Sequence, residues 1–247
     1  MSDAHLGFPN AEESLKREKM LVQWLTEISS DASEIYLLGD IFDFWFEYKR
    51  VVPKGYIRLL GKIAEITDSG IPVHFFTGNH DLWIFNYLPS EIGITLHHDR
   101  EIREINGKKL FIAHGDGLGP SDKGFKYLKQ VFINPVAQWL FARIHPNFAV
   151  RLATRWSQHN HYHESVEDVT FLGEDKERLI QYANRKLQQE HFDFFIFGHR
   201  HIPLEIELQE HAKFINLGDW LYHFTYAVFD GNNIYLHEFK NNTHYEE

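Results

Sequence analysis

Two histidines follow a short apolar segment near the carboxyl end of the chain. Residues 194–197 (FFIF) predict a short buried strand, Gly198 ends it, and His199 and His201 come next. Two imidazoles just beyond a strand are better suited to binding a metal than to filling a core. Similar placements of aspartate, asparagine or histidine recur in Asp3-Ala4-His5, Gly39-Asp40, Gly78-Asn79-His80-Asp81 and His114-Gly115-Asp116.

The polar side chains at these strand ends together form a candidate metal site. Divalent ions such as Mn²⁺, Fe²⁺ and Zn²⁺ accept this mixture of carboxylate, amide and imidazole ligands. Seven donors are too many for one tetrahedral ion but suit two ions about 3.5–4 Å apart, bridged by a carboxylate. Such a pair activates water and polarises a phosphoryl group, so we predict phosphoester hydrolysis. The candidate ligands are Asp3, His5, Asp40, Asn79, His114, His199 and His201.

Each motif taken alone has a simpler explanation. An Asp-x-His pair arises often by chance, a lone Gly-Asp is usually a turn, and one histidine after a strand is usually structural. The repetition at five strand ends favours a shared site. Asp43 and Asp116, which follow two of the motifs, fit either a supporting role or a helix cap. Asp219 is expected to support the site structurally.

The elements that carry these motifs alternate between helix and strand in the first half of the chain. Apolar residues at helical spacing predict helices over 10–30, 53–68 and 174–190. Strands are predicted over 35–38, 73–77, 110–113, 194–197, 214–217, 226–229 and 234–239. Alternation indicates parallel βαβ units, whereas the closely spaced last strands indicate antiparallel pairing. We therefore expect an α/β fold in which two sheets are flanked by helices.

Composition limits the partners of the chain and its redox chemistry. Its 247 residues suffice for one large domain, and the absence of cysteine excludes disulfides and thiolate metal sites. A formal charge of −10 argues against general nucleic-acid binding. No apolar run reaches the length of a membrane span, and no signal peptide is visible. Because so little chain precedes Asp3, we expect the native protein to begin upstream of Met1.

Residues 120–165 interrupt the alternation and are predicted to form a helical cap over the site. Between Ser121 and His163, six basic residues and one acid give a net charge of +5, so the other residues carry −15. The segment is also rich in large apolar side chains. Such a cap suits an apolar, anionic ligand or an anionic membrane surface. The alternative is an ordinary amphipathic helix pair that closes on the core.

The five motifs together resemble the signature of the calcineurin-like metallophosphoesterases. The resemblance covers most of the chain, through Asp3-x-His5, Gly39-Asp40-x-x-Asp43, Gly78-Asn79-His80-Asp81, His114-Gly115-Asp116 and Gly198-His199-x-His201. It implies an αββα two-sheet sandwich in a single domain, residues 1–247, with 120–165 as an insertion. It also implies a dinuclear metal centre. One ion would be held by Asp3, His5, Asp40 and His201, and the other by Asp40, Asn79, His114 and His199.

The same resemblance implies the roles of the remaining site residues. His80 would act at the phosphate as a general acid or electrostatic stabiliser, and Asp81 would orient its imidazole. Mn²⁺ is the expected ion, with Fe, Zn and Co as alternatives.

Further segments are similar to one branch of that family, the UDP-2,3-diacylglucosamine pyrophosphatases. These segments are 39–45 (GDIFDFW), 114–118 (HGDGL) and 217–220 (LGDW). The similarity implies that the pyrophosphate of a nucleotide-sugar lipid is cleaved to UMP and 2,3-diacylglucosamine 1-phosphate, under a cap that covers the acyl chains. Asn79, His80 and Asp122 would contact this substrate.

Two departures from that branch keep other functions open. Many of its members carry arginine where this chain has His80, and residues 157–164 do not align clearly with its cap. A phosphoesterase acting on another nucleotide or on a phosphoprotein is the main alternative, and a non-catalytic, membrane-associated binding protein is a further one. The expected location is cytoplasmic, with peripheral contact at the inner face of the cytoplasmic membrane.

Overall fold

The computed structural model describes residues 1–119, 123–162 and 170–240, with backbone alone for residues 123, 125 and 158–162. The helices of this part of the chain are α1 (Ala11–Ile28), α2 (Ile57–Asp68), α3 (Tyr87–Ile92), α4 (Lys123–Ile133), α5 (Pro135–Phe141), α6 (Pro146–Tyr162) and α7 (Arg178–Leu187). None of them combines the length and apolar character that crossing a membrane requires.

The strands of the described ranges form two main sheets and a separate hairpin. They are β1 (Ile35–Leu38), β2 (Val73–Phe76), β3 (Thr95–His97), β4 (Glu101–Ile105), β5 (Lys108–Ala113), β6 (Phe194–Phe197), β7 (Pro203–Glu207), β8 (Lys213–Leu217), β9 (Thr225–Phe229) and β10 (Ile234–Glu238). The first sheet is parallel, in the order β1-β2-β3. The second has the order β4-β5-β6-β8-β7, with parallel central strands and antiparallel edges. β9 and β10 pair in antiparallel fashion.

The first residues of the chain run alongside β1 and complete the first layer at the site. The Leu38 N–H donates to the Met1 carbonyl at 2.8 Å, and the Asp3 N–H donates to the Gly39 carbonyl at 3.0 Å. The His5 N–H continues the series with a 2.9 Å bond to the Asp40 carbonyl. Asp3 and His5 are thereby placed beside Asp40.

Three apolar clusters define four layers. One cluster joins α1 and α2 to the first sheet, through residues such as Trp24, Ile63 and Phe75. A second packs α7 against the five-stranded sheet. The third lies between the two sheets and includes Phe76 and Ile112. The expected α/β class and αββα layering are therefore confirmed.

Local sequence explains how the first two helices begin. The Asn10 side chain accepts the N–H groups of Glu12 and Glu13, both at 3.0 Å, which caps α1. α2 has no side-chain cap from its own N-cap residue, Tyr56. Instead the buried carboxylate of Glu18, on α1, accepts the N–H groups of Arg58 and Leu59 at 2.8 and 3.2 Å. The two helices that cover the first sheet are thus fixed to each other.

The sequence locates most of the central elements but misses several at the edges. All seven predicted strands are present, two of them, 35–38 and 194–197, with the predicted bounds. The three predicted helices are shorter, at Ala11–Ile28, Ile57–Asp68 and Arg178–Leu187. The elements that the sequence reasoning missed are α3, β3, β4 and β7. β3, β4 and β7 have no fully buried residue, so they lack the continuous apolar run that reveals a central strand.

The predicted insertion contains three helices, α4, α5 and α6. Aromatic rings pack the insertion against the rest of the domain. The centroid of the Phe141 ring lies 4.7 Å from that of Trp83 and 4.8 Å from that of Phe46. The Trp83 Nε1–H also donates to the Phe132 carbonyl at 2.8 Å. Because Trp83 follows the Asn79-His80-Asp81 motif closely, the insertion is fixed next to the candidate site.

Candidate metal centre

The predicted site residues meet where the parallel strands of both sheets end. Asp40 follows β1, Asn79 follows β2, His114 follows β5, and His199 and His201 follow β6. The carboxyl ends of parallel strands share one edge of a sheet, and the two sheets face each other across a common core. Residues far apart in sequence are therefore neighbours at this edge.

Five candidate ligands have a left-handed backbone, which side-chain-bearing residues rarely adopt. The φ angles are 55° for Asp3, 42° for His5, 51° for Asp40, 69° for His199 and 50° for His201. Such conformations persist only where the surrounding structure enforces them, and they cluster at functional sites. The left-handed backbone at these five residues therefore marks this edge of the sheets as a candidate functional site.

The glycines of the motifs are required by close approach. A Cβ at Gly78 would lie 2.2 Å from Asp40 Oδ1, and one at Gly198 would lie 2.6 Å from Asp3 Oδ2. Contacts this short do not occur, so any side chain at either position would displace a carboxylate of the site. The Gly-polar order of the motifs thus has a steric cause.

Asp3, His5 and His201 form one group of potential ligands. The Nε2 atoms of the two histidines are 3.3 Å apart. Asp3 Oδ1 lies 3.4 Å from His201 Nε2 and 3.9 Å from His5 Nε2. Ligands at about 2.0–2.2 Å from one ion are separated by roughly 3–3.6 Å, so most of these spacings fit a shared ion.

Asp40, His114 and His199 form the second group. Asp40 Oδ2 lies 3.2 Å from His114 Nε2 and 4.0 Å from His5 Nε2 of the first group. The carboxylate of Asp40 therefore stands between the groups, where a bridging ligand belongs. His114 Nδ1 donates to the Leu38 carbonyl at 2.7 Å, which directs Nε2 toward Asp40 and fixes the tautomer that binds metals.

Unsatisfied buried atoms show that this donor set fits metal ions. Among the described residues, Asp3 Oδ1 and Asn79 Oδ1 are buried without a hydrogen-bond partner. Burying polar atoms in this way is costly unless a ligand satisfies them. Both belong to the predicted ligand set, whose carboxylate, amide and imidazole donors suit divalent transition ions.

The ionisation states of the buried site residues favour the binding of cations. Burial alone would raise the pKa of Asp40, but the imidazoles around it, chiefly His114, hold that pKa well below its usual range. Burial would lower the pKa of His114, but the Asp40 carboxylate raises it to about 10. Burial lowers the pKa of His199 to about 4, which keeps its imidazole neutral. At neutral pH the His114 imidazole is therefore protonated, and its charge partly balances the Asp40 carboxylate in the place of a metal ion.

His80 lies beside the first group, with its ring 4.7 Å from that of His5. Its backbone N–H donates to Asp40 Oδ1 at 2.8 Å. Its Nδ1 is 3.1 Å from the carbonyl oxygen of Asp43. A carbonyl can only accept, so Nδ1 carries the proton. This nitrogen cannot bind a metal, although His5, Asp43 and His80 form a third cluster of potential ligands.

Asp81 has a different contact from the one that the sequence resemblance implied. Its fully buried carboxylate accepts four backbone N–H groups rather than orienting the His80 imidazole. The donors are Gly78 at 2.8 Å, Ile41 at 2.9 Å, and Asp40 and Phe42 at 3.3 Å. Asp81 thereby ties together the two loops that carry Asp40 and Asn79. Its oxygens are satisfied by main-chain donors, and Asp43 provides the contact to the His80 ring.

The other flagged aspartates have supporting contacts. Asp116 Oδ2 accepts from Lys129 of α4 at 2.6 Å, which joins the insertion to the strand end that bears His114. Asp219 accepts three successive backbone N–H groups after it, and its Oδ2 lies 3.7 Å from His201 Nδ1. Asp122 lies outside the described residues.

Arg17 is a supporting residue that the sequence reasoning missed. Its guanidinium, buried on α1, donates to the carbonyls of Ala4 and His5 at 2.6 and 3.0 Å, and also to that of Phe8. It therefore holds the strained loop that carries Asp3 and His5. A usable signal existed, because Arg17 is four residues before Leu21 and falls on the apolar stripe of the helix.

Comparison with known protein families agrees with this geometry. Residues 1–203, which include every candidate ligand, match the model of the calcineurin-like phosphoesterases. The chain belongs to this family. The expected family and the expected enzyme class, a metal-dependent phosphoesterase, are confirmed. Members of this family require divalent ions, and the groups described above are where this chain can hold them.

Three relatives cover between 81% and 95% of this chain. A UDP-2,3-diacylglucosamine hydrolase of Porphyromonas gingivalis is 38% identical over 95% of this chain and 94% of its own length. Proteins of the same name from Edwardsiella ictaluri and Vibrio vulnificus are 26% and 29% identical, over 88% and 81% of this chain and 83% and 81% of their own lengths.

Proposed function

We propose that this phosphoesterase hydrolyses the pyrophosphate of UDP-2,3-diacylglucosamine, giving UMP and 2,3-diacylglucosamine 1-phosphate. The names of its relatives support this substrate, and the P. gingivalis protein matches almost the entire chain. The proposal requires two features in one place, a site for phosphoester hydrolysis and a surface for acyl chains.

The observation that carries the proposal is the position of the insertion against the site. Ser157 of α6 lies within hydrogen-bond distance of Asp43 and His80, so the insertion reaches the residues beside the metal ligands. α4, α5 and α6 also carry many large apolar side chains that are exposed. These are Tyr127, Val131, Ile133, Val136, Trp139, Leu140, Phe148, Leu152 and Trp156. A soluble nucleotide substrate needs no such surface, whereas a diacylated one does.

The described residues suggest a division of roles. Asp3, His5, His201 and Asp40 would hold one divalent ion, and Asp40, Asn79, His114 and His199 would hold the other, with Mn²⁺ as the proposed ion in both. When bound, such a pair supplies a hydroxide nucleophile and neutralises charge on the phosphoryl group.

His80 and the residues around it position the reacting phosphate. With Nδ1 protonated and directed at the Asp43 carbonyl, Nε2 is the atom through which His80 exchanges a proton or donates to a phosphate oxygen. Asn79 and Asp122 complete the proposed substrate contacts. Asp81 and Arg17 hold the loops that bear the ligands and do not touch the substrate.

Exposed aromatic and basic residues of the insertion support a peripheral membrane location. Trp139 and Phe148 are 55% and 62% exposed, and the Arg143 guanidinium stacks over the Trp139 ring at 4.3 Å. Arg151 and Arg155 are exposed on α6. Aromatic rings and arginines together favour an anionic lipid surface. We propose that the enzyme works in the cytoplasm, in contact with the inner face of the cytoplasmic membrane.

A substrate comparison tests the proposal. Mn²⁺-loaded enzyme is given UDP-2,3-diacylglucosamine in detergent, and products are separated by liquid chromatography and mass spectrometry. We expect UMP and the lipid 1-phosphate in equal amounts. UDP-glucosamine without acyl chains is the matched control, and it should be a much poorer substrate because it cannot use the apolar insertion.

Two results would contradict the proposed substrate. Equal turnover with and without acyl chains would show that the insertion does not recognise lipid. Absence of UMP, with good turnover of soluble nucleotides or phosphopeptides, would favour the alternative phosphoesterase function.

A further inference from the structure

Ser157 connects the insertion to the site by hydrogen bonds. It lies on α6 and is 7% exposed. Its Oγ is 2.8 Å from Asp43 Oδ1 and 3.2 Å from His80 Nδ1. Asp43 and His80 belong to the loops after β1 and β2, so this contact joins the insertion to both loops.

The donors and acceptors of this contact can be assigned. The Asp43 carboxylate can only accept, so the Ser157 hydroxyl donates to it. His80 Nδ1 carries a proton because it also lies 3.1 Å from the Asp43 carbonyl. That proton therefore points at two acceptors, the Asp43 carbonyl oxygen and Ser157 Oγ. The hydroxyl thus donates to Asp43 and accepts from His80, and the His80 ring is held in one orientation and one tautomer.

The rest of the insertion sets the position from which Ser157 acts. Phe132 contacts the Trp83 ring at 5.3 Å and the Trp156 ring at 5.9 Å. Trp156 immediately precedes Ser157, and Trp83 follows His80 by three residues. The packing of aromatic rings therefore fixes Ser157 relative to His80 when the insertion is docked.

We infer that Ser157 is a positioning residue which orients His80 for phosphoester hydrolysis and so couples docking of the insertion to turnover. The inference rests on the proposed role of His80 but not on the identity of the substrate. Ser157 acts through Asp43 and the His80 ring, and it holds no metal. An insertion displaced from the site would leave the metal ligands in place but leave His80 less well oriented.

Three variants and two substrates test this inference. Ser157→Ala removes the hydroxyl, Ser157→Thr keeps it, and Thr154→Ala removes a different hydroxyl of α6 one turn earlier. Steady-state rates are measured with UDP-2,3-diacylglucosamine and with bis(p-nitrophenyl) phosphate, a small diester that has no acyl chains. Bound metal and melting temperature are measured for each variant.

We expect Ser157→Ala to lower kcat about 10-fold or more on both substrates, because a loosened catalytic group loses alignment in the transition state. KM, metal content and melting temperature should stay close to those of the parent enzyme. Ser157→Thr should recover most of the lost rate, and Thr154→Ala should resemble the parent.

Other results would overturn the inference. A rise in KM for the lipid alone would make Ser157 a substrate contact. A loss of bound metal or a fall in melting temperature that Ser157→Thr does not repair would make its role structural. If Ser157→Ala turned over both substrates at the rates of the parent enzyme, the Ser157 hydroxyl would have no role in turnover. If the parent enzyme cleaves only the small diester, the proposal that the lipid is its substrate is wrong. The rates of the variants with the small diester then still decide the role of Ser157.

Discussion

Replacement of Asp81 by alanine separates the structural account of this residue from the role implied by its motif. The carboxylate is fully buried and accepts four main-chain N–H groups from two loops. If it orients the His80 imidazole, its loss should affect turnover with little effect on folding. If it joins the two loops, its loss should lower the free energy of unfolding, which can be measured without an activity assay.

The magnitude follows from the hydrogen bonds. Two of the four are short, from Gly78 at 2.8 Å and from Ile41 at 2.9 Å. Burial raises the pKa of Asp81 to about 7, so the unfolding is measured at a pH well above 7, where the carboxylate is charged. A hydrogen bond to a charged partner contributes about 1.5–3 kcal/mol, so these two bonds correspond to roughly 3–6 kcal/mol. With a urea dependence near 3 kcal/mol per molar, the unfolding midpoint should fall by about 1–2 M. Asp81→Asn should also destabilise, because its NH₂ group faces two donors.

Urea unfolding followed by circular dichroism in the presence of a chelator gives the measurement without interference from bound metal. Asp116→Ala is the matched control, since it removes a buried carboxylate whose described partner is the partly exposed side chain of Lys129 rather than the main chain. Its midpoint should move much less. The reasoning fails if Asp81→Ala unfolds at the same urea concentration as the parent enzyme and yet loses turnover. That result would show that Asp81 orients the His80 imidazole rather than joining the two loops.

Three further predictions concern the ligands and the insertion. Gly78→Ala should weaken metal binding at least ~10-fold in isothermal titration, since its Cβ would displace the Asp40 carboxylate; Gly61→Ala on α2, where a Cβ meets nothing within 4 Å, is the control. Metal affinity of the chelator-treated protein should rise with pH from 6 to 9, because a metal must displace the proton that His114 holds up to a pKa of about 10; a flat profile would refute this. Trp139→Ser should reduce sedimentation with anionic vesicles but leave hydrolysis of the small diester unchanged, and equal binding to neutral vesicles would count against the lipid surface.

The sequence predicts the ligand set of the candidate site because the relevant signals are local. Each motif consists of an apolar strand followed by a small residue and a polar one, and parallel strand ends meet regardless of the loops between them. This rule alone brings His114 and His199 together, because β5 and β6 belong to one sheet. Asp40 follows a strand of the other sheet, so its position beside them also depends on how the two sheets pack. Edge strands such as β4, with alternating exposed and half-buried residues, give no comparable signal.

The supporting contacts could not be predicted in the same way. Whether Asp81 faces an imidazole or four amides depends on how tightly the β1 and β2 loops turn, which the motif does not encode. Ser157 is one hydroxyl in a helix, and only the docking of the insertion places it beside His80. Arg17 is the exception, because a charge on an apolar helix face already calls for a buried acceptor.

Electron paramagnetic resonance of the Mn²⁺-titrated protein tests the central claim most directly, that strand ends from both sheets form one two-ion site with Asp40 between the ions. The account predicts that two equivalents bind per chain and that the second gives the signal of a spin-coupled pair. Asp40→Asn should weaken binding and abolish the coupling. One equivalent per chain, or two uncoupled ions, would contradict the account.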